Sequence, residues 1–106
     1  MPSFPTYRGR RLRRTEALRR LVRETSLVPS QLVLPLFVRN GSGLRRPIEA
    51  MPGVAQTSPD ELLRDASAAA EAGVGGVILF GIPDHKDPTG SEAWAEEGAV
   101  QKGIRL

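Results

Sequence analysis

Two stretches of the chain are apolar without interruption by charge: Leu32 to Val38 (LVLPLFV) and Val77 to Ile82 (VILFGI). Runs of this length with no polar alternate predict strands buried in a parallel sheet. Between them, Ser58-Pro59-Asp60-Glu61 predicts a helix start. It combines a serine cap, proline at the first helical position, acidic residues in the first turn and a glutamate placed to close a capping box. The helix should run through Leu62, Leu63, Ala66, Ala69, Ala70 and Ala72 to Gly73, its alanine-rich face lying close to a sheet. Strand, helix, strand then makes a right-handed parallel crossover, and any ligand site belongs beyond Phe80, at the carboxyl ends of the strands.

The flanking pattern adds three expectations. Arg39 to Thr57 is a 19-residue connection in which Ile48, Met51 and Val54 predict local packing as a small hairpin or lid. Residues 1 to 14 read as an extended arm, after which Thr15 caps a short helix with a Leu18, Leu21, Val22 stripe. One narrow stripe cannot hold so short a helix in water, so it should dock on the body of the chain or on a neighbouring subunit. Ala99, Val100, Gly103, Ile104 and Leu106 begin another amphipathic pattern in which the chain stops. The two strands are therefore expected to keep open edges, as in an unfinished fold.

Composition changes this picture little, but charge does. The 106 residues are 40% hydrophobic and 25% charged, as in a globular protein, and include no cysteine, which excludes disulfides and thiolate metal sites within them. No run approaches the roughly 20 apolar residues of a membrane span, and the arginines near the start precede no signal-like apolar core, features read as those of a cytoplasmic protein. Residues 1 to 24 hold eight arginines against Glu16 and Glu24, a balance of +6 within a total of +3, so the body is acidic. Such an arm suits phosphates or a subunit contact; with only Phe4 and Tyr7 ahead of the arginines, base stacking has little support and nucleic acid is the weaker partner. Pro2 and Pro5 weaken a presequence reading in the same way.

Candidate chemistry is sparse. The glycines at 73, 75 and 76 follow a helix and open a strand, the reverse of a dinucleotide fingerprint, and serve more simply as helix termination. Asp84, His85 and Asp87 cluster where a metal or an acid-base pair would lie, but without a second ligand cluster they read as a solvated loop. Lys86 and Lys102, the two lysines, could form Schiff bases only if burial or a neighbouring cation lowered their pKa; each reads instead as a solvated surface residue.

Taken in order, RRLRRTEALRRLVRET, LVLPLFV, PIEAMPGV, GVILFGIP, DPTGSEAW and EEGAVQKGIRL resemble the N-terminal third of the porphobilinogen synthase (delta-aminolevulinic acid dehydratase) family, over about Arg10 to Leu106. That resemblance implies an α/β fold: an incomplete TIM (β/α)8 barrel holding the first two barrel strands, with a basic N-terminal arm and short helix over residues 1–30 and the first βαβ portion over 31–106. The family condenses two molecules of 5-aminolevulinate to porphobilinogen in tetrapyrrole and heme biosynthesis. It uses two Schiff-base lysines, with zinc or magnesium, in a homo-octamer. The family's lysines, metal segment and substrate-carboxylate residues belong to later strands. No catalytic, cofactor-binding or metal residue is therefore carried over, and these residues alone are expected to be inactive. Only Arg10, Arg11, Arg13 and Arg14 are carried over, as subunit contacts of the arm.

Overall fold

The computed structural model describes residues 3–106; Met1 and Pro2, which open the expected arm, lie outside the described residues. Helix α1 spans Glu16–Leu21, β1 Val33–Arg39, β2 Arg45–Pro47, β3 Ala55–Thr57, α2 Pro59–Glu71, β4 Gly76–Ile82 and α3 Ala99–Ile104. Short 3-10 turns occupy Arg11–Arg13, Pro29–Gln31 and Ser91–Ala93.

Strand β1 pairs with β4 in parallel over seven residues, from Val33 opposite Gly76 to Arg39 opposite Ile82. Helix α2 joins the two through the expected crossover. Its end follows from Gly73 at φ 82°: the Gly73 N–H donates to Ala70 O and the Val74 N–H to Ala69 O, the paired bonds of a Schellman motif. Gly75 then passes so close to the preceding turn that a Cβ would stand 2.2 Å from the Ser30 carbonyl oxygen, while its N–H donates to Pro29 O and Leu32 O.

The long connection after β1 is the hairpin β2–β3, and its second strand lies parallel to β1 with Phe37 opposite Gln56 and Val38 opposite Thr57. The sheet is thus mixed, in the order β2-β3-β1-β4. This corrects the expectation of open edges on both apolar strands, since β1 lies inside the sheet. The connection is long enough to turn back and satisfy β1's peptide groups, which would otherwise need water. Pro35 stays within β1 opposite Ile78, ahead of the point where β3 begins to pair.

The capping box is also corrected. The Ser58 hydroxyl makes no bond to an α2 amide; it accepts from the Leu44 N–H at 2.9 Å and donates to Asp60 Oδ1 at 2.5 Å. Asp60 accepts from the Gly43 N–H, and Glu61, which would complete the box, turns to Arg45. Ser58 is fully buried, so the unmet N–H of the hairpin outcompetes the helix's first-turn amides, which water can reach. Helix start and hairpin are thereby locked together. Arg45 adds bonds to Asp65 at 2.8 Å and Glu61 at 3.0 Å, which hold its guanidinium still more firmly charged.

The core lies on one face of the sheet. Val38, Leu62 and Ala99 are buried there, with Leu36, Leu79 and Val100 packed around them, so α2 and α3 cover the same side. The opposite face shows Val33, Ile78 and Phe80 to solvent.

Among the described residues, none before Val38 is buried. Thr15 caps α1 as expected, its side chain accepting from the Leu18 N–H, but Leu21 is 80% exposed and Val22 40%. The stripe does not dock on the body, which corrects the first of its two expected resting places. The radius of gyration, 21.9 Å against about 13 Å for a compact chain of this length, reflects this outlying segment.

Candidate functional site at the carboxyl ends of the parallel strands

Strand alternation decides what reaches the rim. Val38 points into the helix-covered core, so Phe37 and Arg39 point to the open face. There Phe37 stacks on Phe80 of the neighbouring strand at 5.5 Å between centroids and 26° between planes. Arg39, the last residue of β1, lies beyond this stack. Its Nη1 donates to Gln56 Oε1 at 2.9 Å, its Nη2 approaches Asp84 Oδ1 at only 4.0 Å, and its Nε is buried without a partner. Asn40 bridges the ends of the elements: its Nδ2 donates to Asp84 Oδ2 at 2.8 Å and its Oδ1 accepts from Lys102 Nζ at 3.2 Å.

Beside this rim, on the α3 side, a cleft of about 430 Å³ opens between the loop after β4 and the first turn of α3. Gly81 lies in its wall, where the close approach of Val100 leaves no room for a Cβ. His85, Lys86, Asp87, Ser91, Glu92 and Gln101 supply polar lining. Asp87 organises the loop: it accepts from the Ser91 hydroxyl, from the Ser91 N–H at 2.9 Å and from the Thr89 hydroxyl at 3.1 Å. Those bonds, the Ser91 hydroxyl foremost, favour the carboxylate and lower its pKa from 3.8 to about 2. Gln101 ties the loop to α3 through Ala93 O at 2.8 Å.

The expected candidates therefore separate. Asp84 turns to Arg39 and Asn40, Asp87 turns into its own loop, and among the described residues no three His, Cys, Asp or Glu side chains come together as a metal site. The residues present do not fit a zinc or magnesium centre. Lys86 stays exposed, whereas Lys102 is half-buried and bonded to Asn40, which corrects its reading as a solvated residue. Arg10, Arg11, Arg13 and Arg14 are exposed. Arg39, Asn40 and Gln56 escaped sequence reasoning. The available signal was positional: Arg39 and Asn40 are the first polar residues after a buried parallel strand, which places them at the end where ligands bind.

A parallel βαβ crossover with its polar side chains gathered at the carboxyl ends of the strands marks the chain as part of an α/β fold of the kind that binds ligands at that end of the sheet. Comparison with known proteins narrows this class. The family model described as delta-aminolevulinic acid dehydratase matches residues 6–106. The chain is 50% identical over 107 aligned positions to the delta-aminolevulinic acid dehydratase of Mycobacterium tuberculosis (strain ATCC 25618 / H37Rv), covering 99% of this chain and 32% of that protein. It is 46% identical to the Synechococcus elongatus protein of the same name, covering 93% and 30%. Among solved structures, delta-aminolevulinic acid dehydratase (porphobilinogen synthase) from Toxoplasma gondii ME49, in complex with the reaction product porphobilinogen, superposes with a TM-score of 0.85 at 33% identity, covering 92% of this chain and 28% of that one. The chain belongs to the delta-aminolevulinic acid dehydratase family and spans about a third of the length of the curated relatives it matches. Among the described residues no helix is long and apolar enough to cross a membrane.

Proposed function

We propose that this chain is the N-terminal third of a porphobilinogen synthase, a cytoplasmic enzyme that condenses two 5-aminolevulinate molecules to porphobilinogen in tetrapyrrole biosynthesis. The observation that carries the reading is the 50% identity running through 99% of the chain while matching only 32% of the relative. Residues 31–106 would be the opening βαβ portion of a TIM barrel, with β1 and β4 as its first two barrel strands. The open face of the sheet would line the barrel, and the rim around Arg39 and Asp84 would border the mouth of the site.

Schiff-base chemistry would come from lysines outside these residues. Lys102 sits on a covering helix and Lys86 in an outer loop, so neither reaches the face on which Phe37 and Phe80 stack. The metal of the family, zinc or magnesium, would likewise be held elsewhere in the longer polypeptide. Residues 1–30 would form an arm that packs on a neighbouring subunit of a homo-oligomer, octameric as in the family. There the uncovered Leu21 and Val22 would find their partner surface, and Arg10, Arg11, Arg13 and Arg14 would make contacts.

The test is complementation in one polypeptide. Joined to the remaining two thirds of the Mycobacterium tuberculosis relative, residues 1–106 should yield an enzyme that converts 5-aminolevulinate to porphobilinogen, while the 106-residue chain alone should not. A folded but inactive chimera would overturn the assignment; turnover by the chain alone would overturn the division of labour.

A further inference from the structure

We propose that the loop over residues 91–97 is the docking surface for the arginine-rich arm of a second copy of this chain, with Trp94 between Glu92 and Glu96 as its centre. This deepens the preceding reading, rests on its subunit-contact arm and names the surface that takes it. The loop is braced as a platform. Asp87 holds its start through the Ser91 N–H, Gln101 donates to Ala93 O at 2.8 Å, and Arg105 donates to Glu96 O at 2.7 Å and to Glu97 Oε1 at 2.9 Å. The backbone is thus fastened on both sides of Trp94, yet the indole stays 67% exposed. The carboxylates of Glu92 and Glu96 have no cation within ion-pair reach among the described residues. Beside them opens the cleft of about 430 Å³, with Pro83, Ala99 and Val100 in its wall. A surface fixed in advance spares a partner part of the ordering cost of binding.

The chemistry that fits an indole flanked by two carboxylates is the guanidinium, which stacks on the one and pairs with the other, and the apolar cleft beside them asks for aliphatic side chains. The arm carries both. Arg10, Arg11, Arg13, Arg14 and Arg20 have no carboxylate partner among the described residues, and Leu21 is 80% exposed on the same segment. Helix α1 has six residues, too few to persist in water without a surface, and its own body leaves it uncovered in a chain 65 Å long. The balance of +6 in residues 1 to 24 draws the arm of one copy toward the acidic body of another. Since arm and loop belong to one chain, a two-fold axis makes the contact twice.

The chimera carrying residues 1–106 tests this with the photo-crosslinker p-benzoylphenylalanine in place of Leu21, in an assembly mixed from unlabelled and nitrogen-15-labelled chains. After irradiation, mass spectrometry should find the arm joined to the loop after β4 or to the first turn of α3, in peptide pairs that carry mixed labels, the mark of a contact between copies. Glu92→Arg with Glu96→Arg should weaken association roughly 5- to 30-fold in sedimentation, as expected for two exposed ion pairs, and Trp94→Ala about 30-fold or more. Arg10→Glu with Arg13→Glu should weaken it like the loop reversal, and joining the two reversals in one chain should restore most of the loss. Mixed-label pairs that map to another surface, or a loss that the joined reversals leave unrestored, would overturn the inference alone. A monomeric chimera, or same-label pairs only, would overturn the subunit-contact arm and this inference with it. So would nucleic acid that copurifies with the parent and is lost on reversing Arg10 and Arg13, in the absence of mixed-label pairs.

Discussion

The two faces of the β1–β4 sheet are made from the same two strands, and they have opposite fates. On one, Val38 and Leu79 meet Leu62, Ala99 and Val100, and the side chains close into a core. On the other, Val33, Ile78 and Phe80 stay 61%, 47% and 46% exposed, although they are as apolar as the residues behind them. Exposed apolar residues in a row on a sheet mark a surface built to be covered. A parallel sheet is normally covered on both sides, so the contrast describes a chain whose relatives are three times as long.

Substitutions can break that contrast. The largest effect should come from the covered face: Leu62→Ala should cost about 2–5 kcal/mol, read as a lowered urea midpoint, whereas Phe80→Ala on the open face should cost far less in the 106-residue chain. Equal losses would mean that the open face is packed in solution. Next comes the amino-terminal edge of the sheet. Gly75→Ala puts a Cβ against the Ser30 carbonyl oxygen, so the turn at Pro29–Gln31 must lift away, at about 1–3 kcal/mol and with faster amide exchange at Gly75.

The smallest effect belongs to the carboxyl-terminal rim. Because the folded state lowers the Asp87 pKa from 3.8 to about 2, its contribution to the loop is fully present above pH 4 and is lost as pH falls through 2. The Ser91 amide resonance should follow that titration. Asp87→Asn should abolish the titration and leave the sheet resonances in place.

Much of the fold was legible because its signals are local. Ser58-Pro59 marked the start of α2 and Gly73 its end, and the two apolar runs marked β1 and β4 to within a residue or so. Thr15 capped α1 as its position foretold, since a cap needs partners only three residues away. The Ser58–Glu61 box misled because two long-range partners, Leu44 and Arg45, competed for the same side chains. The rim was least legible. Arg39–Gln56, Asn40–Asp84 and Asn40–Lys102 bridge 17, 44 and 62 positions, and no periodicity encodes those distances.

By itself, then, the sequence determined the order and type of the main elements, the arginine-rich character of the segment before them and the family to which the whole is kin. Those properties follow from apolar spacing, caps and turn residues, which act over a few positions. The tertiary structure alone decided that β3 lies beside β1, that Ser58 serves the hairpin rather than the helix, and that Arg39 is left with an unmet donor on the open face. Those are choices among competing hydrogen-bond partners, settled only when the crossover closes and brings distant peptide and side-chain groups within reach.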